Sequence, residues 1–371
     1  MDANETVYRI TDALPVGRTS YHADTQTLWC AHSGSGVSFG FRGESCVLTL
    51  TADSAYRRGT VAAVRYAVLR NGRIAAEGQL TVPEQTVTLQ FEAGENGFAW
   101  VQLIKLSESS DSVMGVKDIA VRSAHMQENR LISPERKPYL IEFIGDSITC
   151  GYGVDGICGR DAYQTANENV MKTYAYLTAK QLGADYSMVC FSGYGILSGY
   201  TVSGRINDVN LVPRYYDKVG YSSGILEQQR RIQDDRWDFA VQPDAVVINL
   251  GTNDASYTWD FPELQQVFSQ AYEKFLHTVR EKNPHAMIVC TLGMMGETLC
   301  EAMEQAAERF RTKNGDANIC TMRFDPMDSA DGAAVDYHPS ARTHQKAAAK
   351  LTAFLCTACG MHAKNHEQEG V

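Results

Sequence analysis

The sequence is 371 residues long and has 34 basic and 44 acidic side chains, which gives a formal net charge of -10. Such a balance repels phosphate backbones and anionic lipid surfaces, so nucleic acids and membranes are poor partners and a neutral substrate is expected. Hydrophobic residues make up 44% and charged residues 21%, as in ordinary folded proteins, and the length allows two domains.

The N-terminus and the cysteines bear on the compartment. The first residues lack a basic segment followed by an apolar one, so no secretory signal is expected, and no run approaches the ~20 apolar residues of a transmembrane helix. The ten cysteines mostly lie within apolar runs, which favours buried free thiols over disulfides. The sequence leaves the oligomeric state open. We expect a cytoplasmic protein, or a secreted one if a signal has been removed.

The first 130 residues show the period-two alternation of β-strands. Such runs occur at 37–41, 47–50, 61–68, 80–82, 87–91 and 100–106. Turn signals lie between them, including the hairpin dipeptide Asn71-Gly72 and the segment 95–97. The pattern predicts an antiparallel, jelly-roll-like β-sandwich over residues 1–130. For this accessory domain we favour packing on the second domain and shaping its cleft over glycan binding.

From residue 138 the pattern changes to near-continuous apolar runs that alternate with helical patterns. The predicted strands are 139–144, 186–190, 245–250 and 286–290, and the predicted helices are 173–182, 262–281, 297–312 and 340–355. This alternation predicts a parallel sheet covered by helices on both faces, an α/β/α domain over residues 138–371. The charged segment 130–137 is the predicted linker or entry to this domain. The reactive groups of such sheets lie at the carboxyl ends of the strands.

Polar residues follow three of the predicted strands. Ser147 follows the first within a Gly-Asp-Ser turn, Gly193 follows the second, and Asn253 follows the third, while His338 precedes the last helix. Each of these is ordinary turn chemistry when taken alone. Together they supply what acyl transfer needs, which is a nucleophile, a base and donors for the developing oxyanion.

These blocks resemble a known superfamily. Gly145-Asp146-Ser147, Gly193, Gly251-x-Asn253-Asp254 and His338 resemble the successive blocks of the SGNH (GDSL) hydrolases. The longer strings at 145–153, 192–195 and 336–340 are more similar to carbohydrate esterase family 2, whose members place a small β-sandwich before the SGNH domain. The resemblance implies a three-layer, flavodoxin-like SGNH domain.

The resemblance also implies roles for the matching positions. Ser147 is the expected nucleophile and His338 the expected general base. The Ser147 N–H, the Gly193 N–H and the Asn253 side chain are the expected oxyanion hole. The implied substrates are O-acetylated sugars of plant polysaccharides, and the implied reaction needs neither a metal nor an organic cofactor.

One position departs from the superfamily pattern. The triad acid of most members stands three residues before the histidine, a place that Val335 occupies here, whereas Asp336 stands two before it. In carbohydrate esterase family 2 this offset goes with a Ser–His dyad whose imidazole is held by a main-chain carbonyl. We therefore expect Asp336 to act through its backbone at least as much as through its carboxylate, because the histidine needs only an acceptor that fixes its tautomer.

Several residues near the blocks receive more ordinary interpretations. Trp259 and Tyr194 are the predicted sugar-stacking residues, although such rings are also common in cores. Asp146 and Asp254 are expected to cap backbone N–H groups rather than to react. His344, on the last predicted helix, is expected to face solvent.

The predicted function is deacetylation of acetylated oligo- or polysaccharides, such as xylan fragments, through an acyl-enzyme. One alternative keeps the chemistry but changes the substrate, as in an esterase, thioesterase or acyltransferase acting on another acyl ester. The other is a carbohydrate-binding protein whose catalytic centre is vestigial. The lack of a long apolar lid favours short acyl groups, and the full set of candidate catalytic residues disfavours a vestigial centre.

Overall fold

The computed structural model describes residues 4–91, 97–124 and 129–362. The chain divides into two compact units. The first comprises the described residues up to Arg136 together with Gln164–Glu168 and Asp217–Trp237, and the second comprises Lys137–Tyr163, Asn169–Tyr216 and the described residues from Asp238 onward. Two short segments of the first unit therefore lie inside the range 138–371 that the sequence assigns to the second domain.

The first unit consists of two antiparallel sheets. Its strands are β1 (Glu5–Arg9), β2 (Leu14–Val16), β3 (Thr19–His22), β4 (Thr27–Cys30), β5 (Gly36–Arg42), β6 (Ser45–Ala52), β7 (Arg65–Arg70), β8 (Arg73–Gln79), β9 (Glu84–Gln90), β10 (Phe98–Lys105), β11 (Met114–Arg122) and β12 (Arg130–Ile132). One sheet has the order β3-β4-β11-β6-β9, with β1 also paired to β11. The other has the order β12-β5-β10-β7-β8, with β2 also paired to β5. The predicted antiparallel β-architecture is confirmed.

Side-chain alternation explains the core of this unit. On β5, Val37, Phe39 and Phe41 point inward and are fully buried, as period two requires. The predicted hairpin turn at Asn71-Gly72 joins β7 to β8, and both residues have positive φ angles of 50° and 77°, as a type I′ turn needs. The other predicted turn, at 95–97, falls largely outside the described residues.

Some predicted boundaries in this unit are wrong. Residues 80–82 lie between β8 and β9, and the start of the predicted strand 61–68 belongs to a 3₁₀ segment, Ser54–Val61. The predicted linker 130–137 begins as a strand, because β12 pairs with the Gly40–Arg42 end of β5. Short apolar runs beside turns do not show from sequence which partner strand is within reach.

The segment Asp217–Trp237 completes a second, smaller core within the first unit. Val219, Leu226 and Ile232 from this segment are buried against Trp29 and Val113. Buried apolar side chains of this size contribute roughly 1.5–3 kcal/mol each. The first unit therefore depends on residues that follow the start of the second unit in the chain.

The second unit is a parallel sheet with helices. Its strands are β13 (Leu140–Gly145), β14 (Asp185–Cys190), β15 (Ala245–Asn249), β16 (Met287–Leu292) and β17 (Ile319–Arg323), and its helices are α1 (Ser147–Cys150), α2 (Tyr174–Leu182), α3 (Thr252–Thr258), α4 (Pro262–Lys282), α5 (Cys300–Asn314) and α6 (Ala341–Cys359). All strand pairs are parallel in the order β14-β13-β15-β16-β17. This is the flavodoxin-like order, so the predicted fold class is confirmed.

Local signals set the helix boundaries in this unit. The Thr173 hydroxyl caps α2 by accepting from the Tyr176 N–H, and Gly183 ends that helix in the left-handed conformation. Pro262 begins α4, and the Ser340 hydroxyl caps α6. The strand order reverses beside β13, since β14 lies on one side of it and β15 on the other. The carboxyl ends of β13 and β15 are therefore where a site is expected.

None of the ten cysteines, all of which lie in the described part of the chain, forms a disulfide. Among the helices that the structure describes, none combines the length and the apolar character needed to cross a bilayer.

Candidate active site

Ser147 lies on a one-turn helix directly after β13. The Asp146 carboxylate accepts a hydrogen bond of 3.0 Å from the Ile148 N–H and caps this helix. Gly151 ends the helix in the left-handed conformation at φ 87°. Because the strand turns so sharply into the helix, the Ser147 side chain lies at the carboxyl end of the sheet, where it is only 5% exposed.

The imidazole of His338 lies against this serine. Its Nε2 is 2.8 Å from Ser147 Oγ, and its Nδ1 is 3.1 Å from the Val335 carbonyl oxygen. A carbonyl can only accept, so Nδ1 carries the hydrogen and Nε2 is left with its lone pair toward the serine. Burial lowers the pKa of His338 from its ordinary value of 6.5, against the opposing effect of the Val335 carbonyl. The pair has the geometry of a nucleophile and its base.

The carboxylate of Asp336 bonds to a tyrosine, and the residue favours the charged imidazole through a backbone hydrogen bond as well as through its charge. Its carboxylate accepts a 2.8 Å hydrogen bond from the Tyr152 hydroxyl. Its backbone is left-handed at φ 52°, a conformation that few non-glycine residues adopt. The acceptor for His338 is the main-chain carbonyl of Val335, the residue before Asp336. The imidazole is therefore held by a main-chain carbonyl and not by the Asp336 carboxylate.

Two backbone N–H groups near the serine are unused. Those of Ser147 and Gly193 have no hydrogen-bond acceptor within residues 4–91, 97–124 and 129–362. Gly193 has a φ of 80°, and a Cβ placed there would meet no atom within 4 Å. Its carbonyl oxygen accepts from the Tyr200 N–H at 2.8 Å. These amides are suitable donors for an oxyanion.

Asn253, the third predicted donor, is partly engaged. Its Nδ2 donates to the Tyr194 carbonyl at 2.8 Å and lies 3.4 Å from the Asp146 carboxylate. One amide hydrogen is therefore committed to the loop that contains Gly193, whereas the second makes only a long contact. Burial raises the pKa of Asp146 to about 7, and the nearby charge of Asp254 adds to this effect.

Asp254 anchors the same loop. Its buried carboxylate accepts hydrogen bonds of 2.6 to 3.1 Å from three successive backbone N–H groups, those of residues 196–198. Burial raises its pKa to about 6, although these donors favour the ionised form. The Ser256 hydroxyl accepts from the Thr201 N–H at 2.9 Å. Side chains of α3 therefore hold the segment 194–201 in place by hydrogen bonds to the backbone of residues 194, 196–198 and 201.

The predicted aromatic residues lie in different environments. Trp259 is 60% exposed at the end of α3 and offers a free ring face. Tyr194 requires a correction, because its side chain is 6% exposed and packs between Phe191 and Tyr215. A ring buried in this way cannot stack on a sugar. The aromatic character of Tyr194 serves the core.

Two exposed tyrosines, Tyr200 and Tyr337, are not among the predicted sugar-stacking residues. Tyr200 is 58% exposed and bonds through its backbone to Gly193, and Tyr337, beside the imidazole, is 74% exposed. Tyr337 precedes His338 in the chain, which was a signal, whereas Tyr200 lies seven residues after Gly193 and had none.

His344 is a further correction, because it faces inward rather than toward solvent. It is 1% exposed, its Nδ1 accepts from the Tyr174 N–H at 3.1 Å, and burial lowers its pKa to about 3.

The region that contains this site matches a known protein family. The model of the GDSL-like lipase/acylhydrolase family matches residues 143–346, more than half of the chain. The chain belongs to this family. The match begins within β13, just before Ser147, and extends past His338, so it spans all four blocks that the sequence singles out.

Curated relatives are esterases. The cellulase/esterase CelE of Acetivibrio thermocellus is 35% identical over 230 residues, which are 61% of this chain and 26% of that protein. An acetylxylan esterase / glucomannan deacetylase of Cellvibrio japonicus is 28% identical over 281 residues, 75% of this chain and 72% of that protein. The chain thus spans about a quarter of CelE and most of the Cellvibrio enzyme.

Solved structures extend the likeness to both units. A family two carbohydrate esterase from Clostridium thermocellum in complex with cellohexaose has a TM-score of 0.79 at 28% identity and covers 94% of this chain and 99% of its own. An acetyl xylan esterase from the rumen bacterium Butyrivibrio proteoclasticus has a TM-score of 0.84 over 96% and 99%, and at 23% identity it supports the fold alone. The resemblance inferred from the sequence motifs is confirmed.

Proposed function

We propose that this chain is a serine esterase that removes acetyl groups from acetylated oligo- or polysaccharides. The 2.8 Å contact between Ser147 Oγ and His338 Nε2, beside two unused N–H donors, is the observation that supports this most. The family and the names of the relatives favour acetyl esters of sugars among the acyl esters that such a site could cleave.

The first half-reaction forms an acetyl-enzyme. Ser147 Oγ attacks the ester carbonyl carbon while His338 Nε2 takes the hydroxyl proton. The N–H groups of Ser147 and Gly193 donate to the resulting oxyanion, and the second amide hydrogen of Asn253 completes the set. As the intermediate collapses, the imidazolium gives its proton to the departing sugar oxygen.

The second half-reaction releases acetate. A water molecule attacks the acetyl carbon, His338 takes its proton, and Ser147 regains a proton as acetate departs. The Val335 carbonyl holds the Nδ1 hydrogen throughout, so the same tautomer serves both steps. The exposed rings of Trp259, Tyr200 and Tyr337 provide apolar faces for the sugar.

Hydrolysis of p-nitrophenyl acetate by the wild type and by Ser147→Ala tests the chemistry. We expect turnover by the wild type and loss of turnover in the variant, and full activity of Ser147→Ala would overturn the proposal. Esters from acetate to octanoate then test the acyl group, where a preference for long chains would contradict an acetylesterase.

The sugar requires a separate experiment. Acetylated xylan and glucomannan oligosaccharides are incubated with the enzyme, and NMR follows which acetyl signals disappear. Loss of acetyl groups from defined sugar positions supports deacetylation of saccharides. Hydrolysis of p-nitrophenyl acetate without release from either oligosaccharide would assign the esterase to another acyl ester.

A further inference from the structure

Tyr152 stands at the end of the same helical turn that begins with the nucleophile. Its backbone N–H donates to the Ser147 carbonyl at 3.1 Å. Gly151 and Gly153 flank it with positive φ angles. A Cβ at Gly153 would lie 2.5 Å from the Val335 Cβ, so only glycine lets the histidine segment approach so closely. The position of Tyr152 is therefore tied to both members of the dyad.

The phenol ring of Tyr152 stacks on the imidazole. The ring centroids of Tyr152 and His338 are 4.3 Å apart with an interplanar angle of 29°. The other face of the phenol stacks on Tyr163 at 4.0 Å and 7°. The ring is thus held from both sides, and its face is presented to the imidazole.

The phenol hydroxyl links this ring to Asp336, a carboxylate that acts electrostatically on His338. Tyr152 Oη donates to Asp336 at 2.8 Å. Burial lowers the pKa of the imidazole, and the charge of Asp336 opposes this effect. His344, the other titratable ring that interacts with His338, is buried and neutral. Ser147 is neutral as well. No other charged side chain of the described residues acts on the pKa of His338.

Within the described residues the dyad has no carboxylate on Nδ1 of the imidazole to stabilise its positive charge. When Nε2 takes the serine proton the imidazole becomes a cation, yet its Nδ1 hydrogen faces a neutral carbonyl instead of a carboxylate. The face of an aromatic ring attracts a cation, and the attraction grows where water is excluded. Donation of the phenol hydrogen to a carboxylate makes the ring face more negative.

We propose that Tyr152 takes over part of the work of a triad acid, with its ring face stabilising the imidazolium of His338 and its hydroxyl joining that ring to Asp336. Tyr152 acts through the base and is a positioning residue. The inference rests on the proposed esterase function, but the proton affinity of His338 can be measured without turnover.

The first experiment separates charge from packing. Tyr152 is replaced in the full chain by phenylalanine and then by phenylalanines with increasing fluorination, which retain size while removing negative charge from the ring face. Across the series we expect kcat/KM for p-nitrophenyl acetate to fall about 3- to 30-fold. NMR titration of the His338 imidazole, performed in the Ser147→Ala background, should show a parallel fall in its pKa.

The same replacements at Tyr163 provide the matched control, because that ring stacks on Tyr152 and not on His338. They should leave kcat/KM and the pKa of His338 nearly unchanged. An active series at position 152 with constant kcat/KM and a constant pKa would show that the ring only packs, and would overturn the proposal. If Ser147→Ala remains fully active, the esterase mechanism fails instead, and the titration still reports on the stacking.

The second experiment tests the link to Asp336. Tyr152→Phe keeps the ring and removes the hydroxyl, and Asp336→Asn removes the charge. We expect the effect of Asp336→Asn on kcat/KM to be smaller in the Tyr152→Phe background than in the wild type, because the carboxylate acts partly through the phenol. Effects that simply multiply would refute this link.

Discussion

Single residues set the pH range of the reaction. In the proposed mechanism His338 must be neutral to accept the serine proton, so kcat/KM should fall as the pH drops through its pKa. Burial lowers this pKa below the ordinary value of 6.5, since the charged form is harder to solvate. We expect the acid limb of the kcat/KM profile to have its midpoint below pH 6.5. A midpoint above that value would show that Asp336 outweighs burial.

Gly193 allows a second prediction at this scale. Alanine at φ 80° is strained although the space for its Cβ is open, so the substitution moves the N–H rather than blocking the site. We expect Gly193→Ala to lower kcat about 10- to 100-fold with little change in KM. Gly315→Ala is the control, because Gly315 ends α5 at φ 60° with open space, so alanine is strained there too and activity should be retained. Equal kcat values for the two variants would contradict a role for Gly193.

At the scale of elements, α3 positions the loop that contains Gly193. The Asp254 carboxylate accepts hydrogen bonds from three successive backbone N–H groups. Asparagine has a single acceptor oxygen and can replace only part of them. We expect Asp254→Asn to destabilise the protein by about 2–4 kcal/mol and to lower kcat more than it changes KM, because hydrogen bonds to charged groups are worth about 1.5–3 kcal/mol each.

Thermal denaturation and steady-state kinetics measure these two effects. Asp328→Asn is a suitable control, because Asp328 caps an exposed 3₁₀ turn through a single N–H bond to Ala330. A normal kcat in folded Asp254→Asn would mean that the loop keeps its position without this anchor.

Elements with strong local signals could be predicted from the sequence. Helices α2, α4 and α6 begin within one residue of their predicted starts, since Thr173, Pro262 and Ser340 are good N-terminal residues. Helix α3 and the edge strand β17 were missed, because α3 consists of polar block residues and the buried run of β17 is short. In both cases tertiary contacts decide the structure, and periodicity does not reveal them.

The candidate site, like the fold, could be predicted from the sequence only in part. Ser147, Gly193, Asn253 and His338 are brought together because they follow strand ends or precede the last helix, a rule that the sequence alone can apply. A main-chain carbonyl was expected as the partner of the imidazole, but the sequence could not show that Val335 supplies it or that the Tyr152 ring stacks on it. Their positions follow from backbone angles around Gly153 and Asp336, which are set by packing.

At the scale of the whole molecule, the two units are interleaved in the chain. Asp217–Trp237 completes the core around Trp29, and Thr165 Oγ1 donates to the Ala63 carbonyl at 2.7 Å, both within the first unit. A chain that starts at residue 138 keeps these segments but loses what they pack against. Apolar residues such as Leu226 and Ile232, which are buried in the full chain, would then become exposed.

We expect the 138–371 fragment to be cleaved by protease within 217–237 and to melt well below the full chain. Limited proteolysis with mass spectrometry locates the cut, and the full chain, in which this segment is packed, is the reference. A fragment that resists protease and keeps full esterase activity would show that the second unit folds independently of these contacts.

If the N–H groups of Ser147 and Gly193 bind the oxyanion, as proposed, they should also bind an anionic inhibitor. An alkylboronic acid is neutral and trigonal in solution, and addition of Ser147 Oγ turns it into a tetrahedral anion whose oxygen can occupy the position between these donors. We expect methylboronic acid to inhibit competitively and far more strongly than acetate. Gly193→Ala should weaken this inhibition by about the factor by which it lowers kcat, and equal inhibition of both proteins would contradict the assignment. Binding of the boronic acid would thus report on the two N–H donors without any turnover of substrate.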